Sequence, residues 1–221
     1  MGTLHMMNFK PITNTLNNEG FVFFTKHDIA MEEFEKIAGV QFSHIAKDFI
    51  RPQKENHNNP GAWSNIYSDG KFPPHTDFAY QSSPPKYIML YCTDNKNSNR
   101  STFVLDIHSI PLSARNKLSQ ILWKMSHPER SKALRLLKMS HEYGQSILRY
   151  DPTCMKPYFK KDVWAIDFIN SIYNEFSKEI TWKEGGVLVI DNWRCLHGRG
   201  DNKPTQHCEE KRIFERYCAY L

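Results

Sequence analysis

The chain has 221 residues, of which 40% are hydrophobic, 13% aromatic and 24% charged, proportions typical of a folded globular protein. They exclude a collagen-like, low-complexity or largely disordered chain. A chain of this length supports one well-buried core and is short for two domains with a linker. The net charge of +5 comes without a long Lys/Arg block, so it suits anionic small molecules better than nucleic acid, and ordinary solubility is the simpler explanation of the charge.

The sequence also gives indications of the cellular compartment in which the protein is found. No stretch approaches the about 20 apolar residues of a membrane span, and the N-terminus has no apolar signal-peptide core. The five cysteines form no Cys-x-x-Cys pair, which favours reduced thiols over disulfides. We therefore expect a cytoplasmic protein without a membrane partner. Residues 1–6 resemble a cloning leader, which leaves one predicted domain over residues 7–221.

Hydrophobic periodicity and turn residues predict the elements of this domain. In chain order these are a strand at Phe21–Phe24, a helix at Ala30–Ala38 closed by Gly39, strands at Tyr87–Cys92 and Thr102–Ile107, one or two helices over Leu112–Met139 interrupted at Pro128, a helical stripe from Ile166 to Ile180, a strand at Val187–Ile190 and a final strand at Arg212–Leu221. Strands at both ends without regular βαβ alternation predict a mostly antiparallel β core with flanking helices.

Three His-x-acid triplets are candidate metal sites, because residues i and i+2 of an extended segment point to the same side about 6.6 Å apart. They are His75-Thr76-Asp77, His127-Pro128-Glu129 and His207-Cys208-Glu209. The second contains a proline that suits a turn or a helix start, and the third lies in a charged, loop-like stretch. For His75 and Asp77 alone, a metal site and a structural role both remain open.

A further histidine, His197, follows the strand at Val187–Ile190 and lies in a glycine-rich bend. Two His and one carboxylate suit non-haem Fe(II), since the open positions admit a chelating cosubstrate and dioxygen. A lone His at a strand end is, however, also a common structural feature.

The final strand carries two arginines, and Arg offers a bidentate fork to the carboxylate of an anionic cosubstrate. One face of the strand holds Arg212, Phe214, Arg216, Cys218 and Tyr220. The two arginines lie about 13 Å apart along the backbone, so they would serve different ends of a pocket. The pattern alone slightly favours the alternative, in which this face is exposed and the opposite face packs against the core. That opposite face holds Ile213, Tyr217, Ala219 and Leu221.

Taken together, these segments resemble the Fe(II)/2-oxoglutarate-dependent dioxygenases of the taurine dioxygenase and clavaminate synthase type. The resemblance runs from about Ile29 to Leu221 and is carried by Pro74-His75-Thr76-Asp77, Pro84-Pro85, Asp191–Arg199 and Arg212–Arg216. It implies a double-stranded β-helix (jelly-roll) core, with iron held by His75, Asp77 and His197. It also implies that Arg212 and the Thr102 hydroxyl bind the distal carboxylate of 2-oxoglutarate, that Arg216 lies near cosubstrate or substrate, and that the arginine face points inward.

The resemblance implies an enzyme that consumes dioxygen and 2-oxoglutarate, releases succinate and carbon dioxide, and oxidises a substrate C–H bond. The carboxylate of Asp77 favours hydroxylation over halogenation, since related halogenases carry a small residue there, whereas desaturation or ring closure uses the same ligands. The expected substrate is a small molecule such as an amino acid, free or carrier-tethered. Candidate substrate residues are Arg149 for a carboxylate, Asp151 for an ammonium or guanidinium, and Phe78 and Tyr80 for a pocket wall. A structural Arg/Asp pair at a turn and aromatic core residues are the alternatives.

Two other classes of protein fit parts of the sequence. A structural zinc site would use Cys195, His197, His207 and Cys208, but these lack compact paired spacing and leave His75, Asp77 and Arg212 unexplained. A jelly-roll binding module without turnover is the second alternative, which the formation of succinate would distinguish from an enzyme.

Overall fold

The computed structural model describes residues 8–26, 28–51, 70–95, 98–127, 130–135, 137–139, 145–201 and 212–221. The predicted leader, Pro128 with Glu129, and the triplet at 207–209 lie outside these residues. The helices are α1 (Lys10–Glu19), α2 (Met31–Ala38), α3 (Leu112–Ser119) and α4 (Trp164–Phe176), with short 3-10 turns at Ile107–Ser109 and Lys160–Asp162. None of the described helices has the length and apolar character needed to cross a membrane.

The strands form antiparallel sheets. They are β1 (Phe21–Thr25), β2 (His44–Ile50), β3 (Tyr87–Asp94), β4 (Thr102–Asp106), β5 (Leu122–His127), β6 (Arg130–Arg135), β7 (Leu137–Met139), β8 (Ser146–Leu148), β9 (Met155–Pro157), β10 (Lys178–Ile180), β11 (Gly186–Asp191), β12 (Cys195–Arg199) and β13 (Ile213–Tyr220). A five-stranded sheet has the order β1-β11-β3-β13-β2, and a three-stranded sheet has the order β10-β4-β12. Smaller sheets join β6-β5-β9 and β7-β8.

The two larger sheets pack against each other. Apolar side chains of the five-stranded sheet, such as Ile88 and Leu188, share one buried layer with Val104 and Cys195 of the three-stranded sheet. Alternate residues of the three-stranded sheet, such as Leu105, point away from this layer into a second cluster with α3, α4 and β5. The prediction of a mainly β fold with flanking helices is confirmed.

Strand β13 is buried on both faces. Phe214 and Cys218 pack into the layer between the sheets, whereas Tyr217 and Ala219 pack with residues of α1 and α2. The alternative with an exposed arginine face is therefore wrong. The reason is that helices cover one face of the five-stranded sheet and the second sheet covers the other, so neither face of β13 is left to solvent.

One predicted stretch is wrong. The sequence predicts helices over Leu112–Met139, but the helix ends at Ser119 and strand β5 begins at Leu122. In β5 burial alternates, with Trp123 and Met125 fully buried and Lys124 and Ser126 exposed, which is the two-residue period of a strand. The helix at Ala30–Ala38 is confirmed as α2, whose end at Gly39 has φ +70°, a left-handed conformation that glycine adopts at low cost.

Candidate metal centre

Two histidines predicted as ligands are neighbours across an antiparallel pair of backbone segments. The amide of His75 donates to the carbonyl oxygen of His197 at 2.9 Å, and the amide of His197 donates back at 3.0 Å. Directly opposed residues in such a pair project their side chains to the same face. The two imidazole rings accordingly lie 4.4 Å apart between centroids.

Asp77 adds a carboxylate to this pair of rings. Its Oδ1 lies 3.3 Å from His75 Nε2 and 3.7 Å from His197 Nε2. With metal–ligand bonds of about 2.1 Å, ligand atoms at right angles to each other lie about 3 Å apart. Within the described part of the chain, these are the His, Cys, Asp and Glu side chains that could hold a metal ion as a group of three, with ligand atoms within 4.8 Å of one another. The donor set and its spacing therefore fit a transition-metal ion.

The hydrogen bonds of the imidazoles are compatible with metal ligation. His75 Nδ1 lies 3.0 Å from the carbonyl oxygen of Pro73, which can only accept, so Nδ1 carries the proton and Nε2 presents its lone pair to the site. Burial, together with the neighbouring His75, lowers the pKa of His197 and favours its neutral form. Neutral imidazole is the form that binds metals.

The carboxylate of Asp77 is held in its charged form. Burial would raise the pKa of Asp77, but the guanidinium of Arg216 and the two neighbouring imidazoles hold it well below its usual value. Arg216 Nη1 lies 3.1 Å from Asp77 Oδ2. The other side of the same guanidinium forms a bidentate pair with Asp48, at 2.9 and 2.6 Å. Arg216 thus connects the candidate metal centre to strand β2.

The residues predicted to bind the cosubstrate both contact Trp182. The indole N–H of Trp182 donates to Thr102 Oγ1 at 2.8 Å, and the guanidinium of Arg212 lies 5.8 Å from the indole centre. A hydroxyl has one donor and two acceptor sites, so Thr102 can accept from Trp182 and still donate its proton. Arg212 is buried and donates to the carbonyl oxygen of Arg100. Trp182 therefore brings a cation and a hydroxyl donor together.

The aromatic candidates for the substrate pocket follow Asp77 directly. Phe78 has φ +55°, unusual for an aromatic residue, and its ring lies 5.1 Å from the guanidinium of Arg216. Tyr80 stacks face to face on His127, with ring centroids 3.8 Å apart and an angle of 9° between the planes. His127, the first residue of the second His-x-acid triplet, thus lies close to a candidate pocket residue.

Arg149 binds a neighbouring loop, and Asp151 binds within its own turn. The guanidinium of Arg149 donates to the carbonyl oxygens of Ala79, Gln81 and Ser82. Asp151 Oδ1 accepts from the amide and the hydroxyl of Thr153, at 2.8 and 2.6 Å. These contacts support the turn-forming alternative for both residues, and their contact with a substrate stays a prediction.

Three contributors to the site were not predicted: Asp48, Trp182 and Asn192. Asn192 belongs to the Asp191–Arg199 motif, and its carboxamide binds the backbone of Asp77. Asp48 and Trp182 carry no such signal, because only tertiary packing brings them to Arg216 and Thr102. The zinc alternative gains no support, since the Cys195 thiol donates to the carbonyl oxygen of Gly20 and burial raises its pKa.

Several solved structures with the same fold are oxygenases. An asparagine oxygenase in complex with Fe(II), 2S,3S-3-hydroxyasparagine and succinate superposes with a TM-score of 0.67 at 10% identity, over 96% of this chain and 78% of that one. The non-heme iron oxygenase OrfP in complex with Fe and α-ketoglutaric acid gives 0.63 at 17% identity, over 96% and 79%. The PvcB protein from Pseudomonas aeruginosa gives 0.64 at 13% identity, over 97% and 80%.

These identities are low, so the structural matches establish the fold alone. No curated protein matches the sequence. The family model "Taurine catabolism dioxygenase TauD, TfdA family" matches residues 3–217, which is nearly the whole chain. The resemblance drawn from the sequence is confirmed, and the chain belongs to the TauD/TfdA family of Fe(II)/2-oxoglutarate-dependent dioxygenases.

Proposed function

We propose that this enzyme hydroxylates an unactivated C–H bond of an amino acid or an amino-acid derivative, using Fe(II), 2-oxoglutarate and dioxygen and releasing succinate and carbon dioxide. The observation that carries the proposal is the convergence of His75, Asp77 and His197, with ligand atoms within 4.8 Å of one another, in a chain of a dioxygenase family. Two imidazoles and one carboxylate on one side of an iron ion leave its other positions open.

Bound iron supplies the redox chemistry by which dioxygen and 2-oxoglutarate oxidise the substrate. The chain's own residues hold the ion and tune its surroundings. His75, Asp77 and His197 provide two neutral donors and one anion, and all three are largely buried from water. Arg216 balances the charge of Asp77 and keeps that carboxylate ionised.

For the cosubstrate, Arg212 and Thr102 supply complementary donors. A guanidinium and a hydroxyl are suited to one carboxylate, and a buried arginine binds an anion more strongly than an exposed one because water competes less. Their shared neighbour Trp182 fixes the direction in which the Thr102 hydroxyl can donate. We assign the distal carboxylate of 2-oxoglutarate to this pair and a wall of the substrate pocket to Phe78.

The substrate class rests on two kinds of support. Among proteins with the same fold, the asparagine oxygenase structure holds 3-hydroxyasparagine, and an OrfP structure holds (3S)-hydroxy-L-arginine. In this chain, aromatic rings at Phe78 and Tyr80 lie directly after Asp77, where a small substrate would meet a wall. A free amino acid is the preferred form, and a carrier-tethered one is the second.

The fold supports the same proposal. We infer that the two facing antiparallel sheets form a double-stranded β-helix, in which β12 carries His197, β13 carries Arg216, and Arg212 directly precedes β13.

The test is an anaerobic titration of the purified protein with Fe(II) and 2-oxoglutarate, following the visible charge-transfer band of the iron chelate. We expect a band in the wild type, no band in His197→Ala, and an unchanged band in His108→Ala, a control at a histidine outside the site. A screen of free amino acids for succinate release then identifies the substrate. Folded wild-type protein that gives no band would overturn the proposal and favour a binding module.

A further inference from the structure

We propose that Asn192 is the positioning residue for the metal ligand Asp77, an inference that rests on the proposed function. The carboxamide of Asn192 binds both backbone polar groups of Asp77. Asp77 N–H donates to Asn192 Oδ1 at 3.0 Å, and Asn192 Nδ2 donates to the Asp77 carbonyl oxygen at 3.0 Å. A second bond from Nδ2 reaches the carbonyl oxygen of Pro85, also at 3.0 Å.

Asp77 needs such a support because the backbone pairing that fixes His75 does not fix Asp77. His75 exchanges two backbone hydrogen bonds with His197, whereas the polar backbone groups of Asp77 are bound by a side chain. The next residue, Phe78, has φ +55°, so the chain turns sharply immediately after the ligand. The three hydrogen bonds of the Asn192 carboxamide form a clamp on this segment. Without this clamp, the direction of the Asp77 carboxylate would depend on a short, strained turn.

Asn192 is itself rigidly held. It is fully buried, and its backbone N–H donates to the carbonyl oxygen of Lys86 at 2.8 Å. The adjacent Trp193 donates its indole N–H to the carbonyl oxygen of Pro84 at 2.8 Å. Asn192 lies in the turn between β11 and β12, and β12 carries His197. One turn therefore joins the segment bearing Asp77 to the strand bearing the third ligand.

The chemistry of the clamp requires an amide. Two donated bonds and one accepted bond need an NH₂ group and a carbonyl oxygen on the same short side chain. Leucine has a similar shape but leaves the N–H and C=O of Asp77 without these partners. Aspartate keeps the acceptor but offers no N–H donors, and it adds a negative charge beside Asp77 and Asp191. The two substitutions thus remove different parts of the clamp.

The experiment compares metal affinity in Asn192→Leu and Asn192→Asp with the wild type, using Co(II) absorption and the anaerobic Fe(II)/2-oxoglutarate band. We expect Asn192→Leu to weaken metal binding about 10- to 100-fold, as loss of a residue that orients a ligand typically does. Because all three ligands remain, excess metal should restore the band in this variant but not in Asp77→Ala. We expect a smaller loss in Asn192→Asp, which retains the bond to Asp77 N–H.

The control is Ile37→Ala, which removes buried apolar volume from α2 on the helix-covered side of the sheet. Urea unfolding of each apoprotein reports its stability. Wild-type metal affinity in folded Asn192→Leu would overturn the inference, as would a loss no greater than in an equally destabilised Ile37→Ala. Should Asn192→Leu not fold, the same comparison is made with Asn192→Asp. Absence of a band in the wild type would instead mean that the proposed function has failed.

Discussion

His75 and His197 each donate a backbone amide to the other's carbonyl oxygen, at 2.9 and 3.0 Å. The two imidazoles are therefore set beside each other by main-chain pairing and not by the reach of long side chains. Two residues beyond His75, Asp77 lies on the same side, with its Oδ1 3.3 Å from His75 Nε2. The geometry of the candidate metal centre thus depends on how closely the segment before His75 approaches β12.

Removal of a ligand should abolish turnover. We expect His75→Ala or Asp77→Ala to eliminate iron-dependent succinate formation and the anaerobic chelate band, since each contributes one donor atom to the group. His127→Ala should retain the band, because its ring stacks on Tyr80 and lies outside the ligand group. Equal loss of the band in all three variants would show that the ligands are wrongly assigned.

Gly198 should be required for the close approach of the ligand segment. A Cβ at this position would lie 2.6 Å from the Phe72 carbonyl oxygen and 3.0 Å from that of Pro73, so Gly198→Ala must shift the backbone ahead of His75. We expect a loss of about 1–3 kcal/mol in the free energy of unfolding and weaker metal binding. Urea unfolding and Co(II) titration measure the two effects.

The matched control for this prediction is Gly200→Ala. A Cβ there would come nearest, at 2.9 Å, to the ring of Phe103, a side chain that can move. Metal affinity should therefore stay closer to the wild type. A stronger effect of Gly200→Ala than of Gly198→Ala would contradict the role given to the contact between Phe72 and Gly198.

Elements with a strong local signal could be predicted from the sequence. The helices α2 and α4 show clear apolar stripes, and β1, β3, β4, β11 and β13 are β-branched or aromatic runs bounded by turn residues. The sequence failed at β5, where a short alternating strand directly follows α3 and the combined run resembles a longer helical region. Ile180 continues the spacing of the α4 stripe but lies in β10, because spacing alone does not show where a helix ends.

The residues of the candidate site also fall into two groups, those that could be predicted from the sequence and those that could not. His75, Asp77 and His197 could be named because they lie in compact motifs that resemble a family. Trp182 and Asp48 could not, because their importance comes from contacts with Thr102 and Arg216 that are distant in sequence. A pattern along the chain carries no information on such a contact until the sheets are assembled.

Arg212, directly before β13, and Arg216, within it, should have different roles. Loss of the charged hydrogen bonds of Arg212 should raise the KM for 2-oxoglutarate about 10- to 100-fold in Arg212→Ala. Arg216 is paired with Asp77 and Asp48, so Arg216→Ala should change the KM less and weaken metal binding more. Succinate formation against 2-oxoglutarate concentration, together with Co(II) titration, separates the two effects. The reverse ranking would exchange the roles.

The stacked pair of Tyr80 and His127 should affect the substrate rather than the metal. His127→Ala removes a ring whose centroid lies 3.8 Å from that of Tyr80. We expect the KM for the best amino acid of the succinate screen to rise about 3- to 10-fold, because the loss of one aromatic contact has an effect of this size. His127→Phe should restore most of this loss, and the KM for 2-oxoglutarate should stay unchanged. If neither His127→Ala nor Tyr80→Ala alters the substrate KM, Tyr80 is not a pocket wall.

Lys86 should stabilise the fold by pairing with the buried Asp191, whose Oδ2 lies 2.6 Å from its Nζ. Burial raises the pKa of Asp191, although Lys86 opposes the rise. We expect Lys86→Met, which leaves this carboxylate without its cation, to lower the free energy of unfolding by about 3–5 kcal/mol at neutral pH. The double variant Lys86→Met with Asp191→Asn should recover most of the loss, because no buried charge remains.

The pH dependence of that loss has a definite sign. Because the folded pKa of Asp191 lies above its unfolded value, protonation of this carboxyl favours folding at low pH, and that advantage disappears as pH rises through the folded pKa. Removal of Lys86 raises the folded pKa further, so the penalty of Lys86→Met should shrink on acidification. Urea unfolding of the apoprotein at neutral pH and at about pH 5 measures the difference. An equal loss at both would mean that Lys86 stabilises the fold through its contacts with the rings of Trp193 and Tyr87, not by pairing with Asp191.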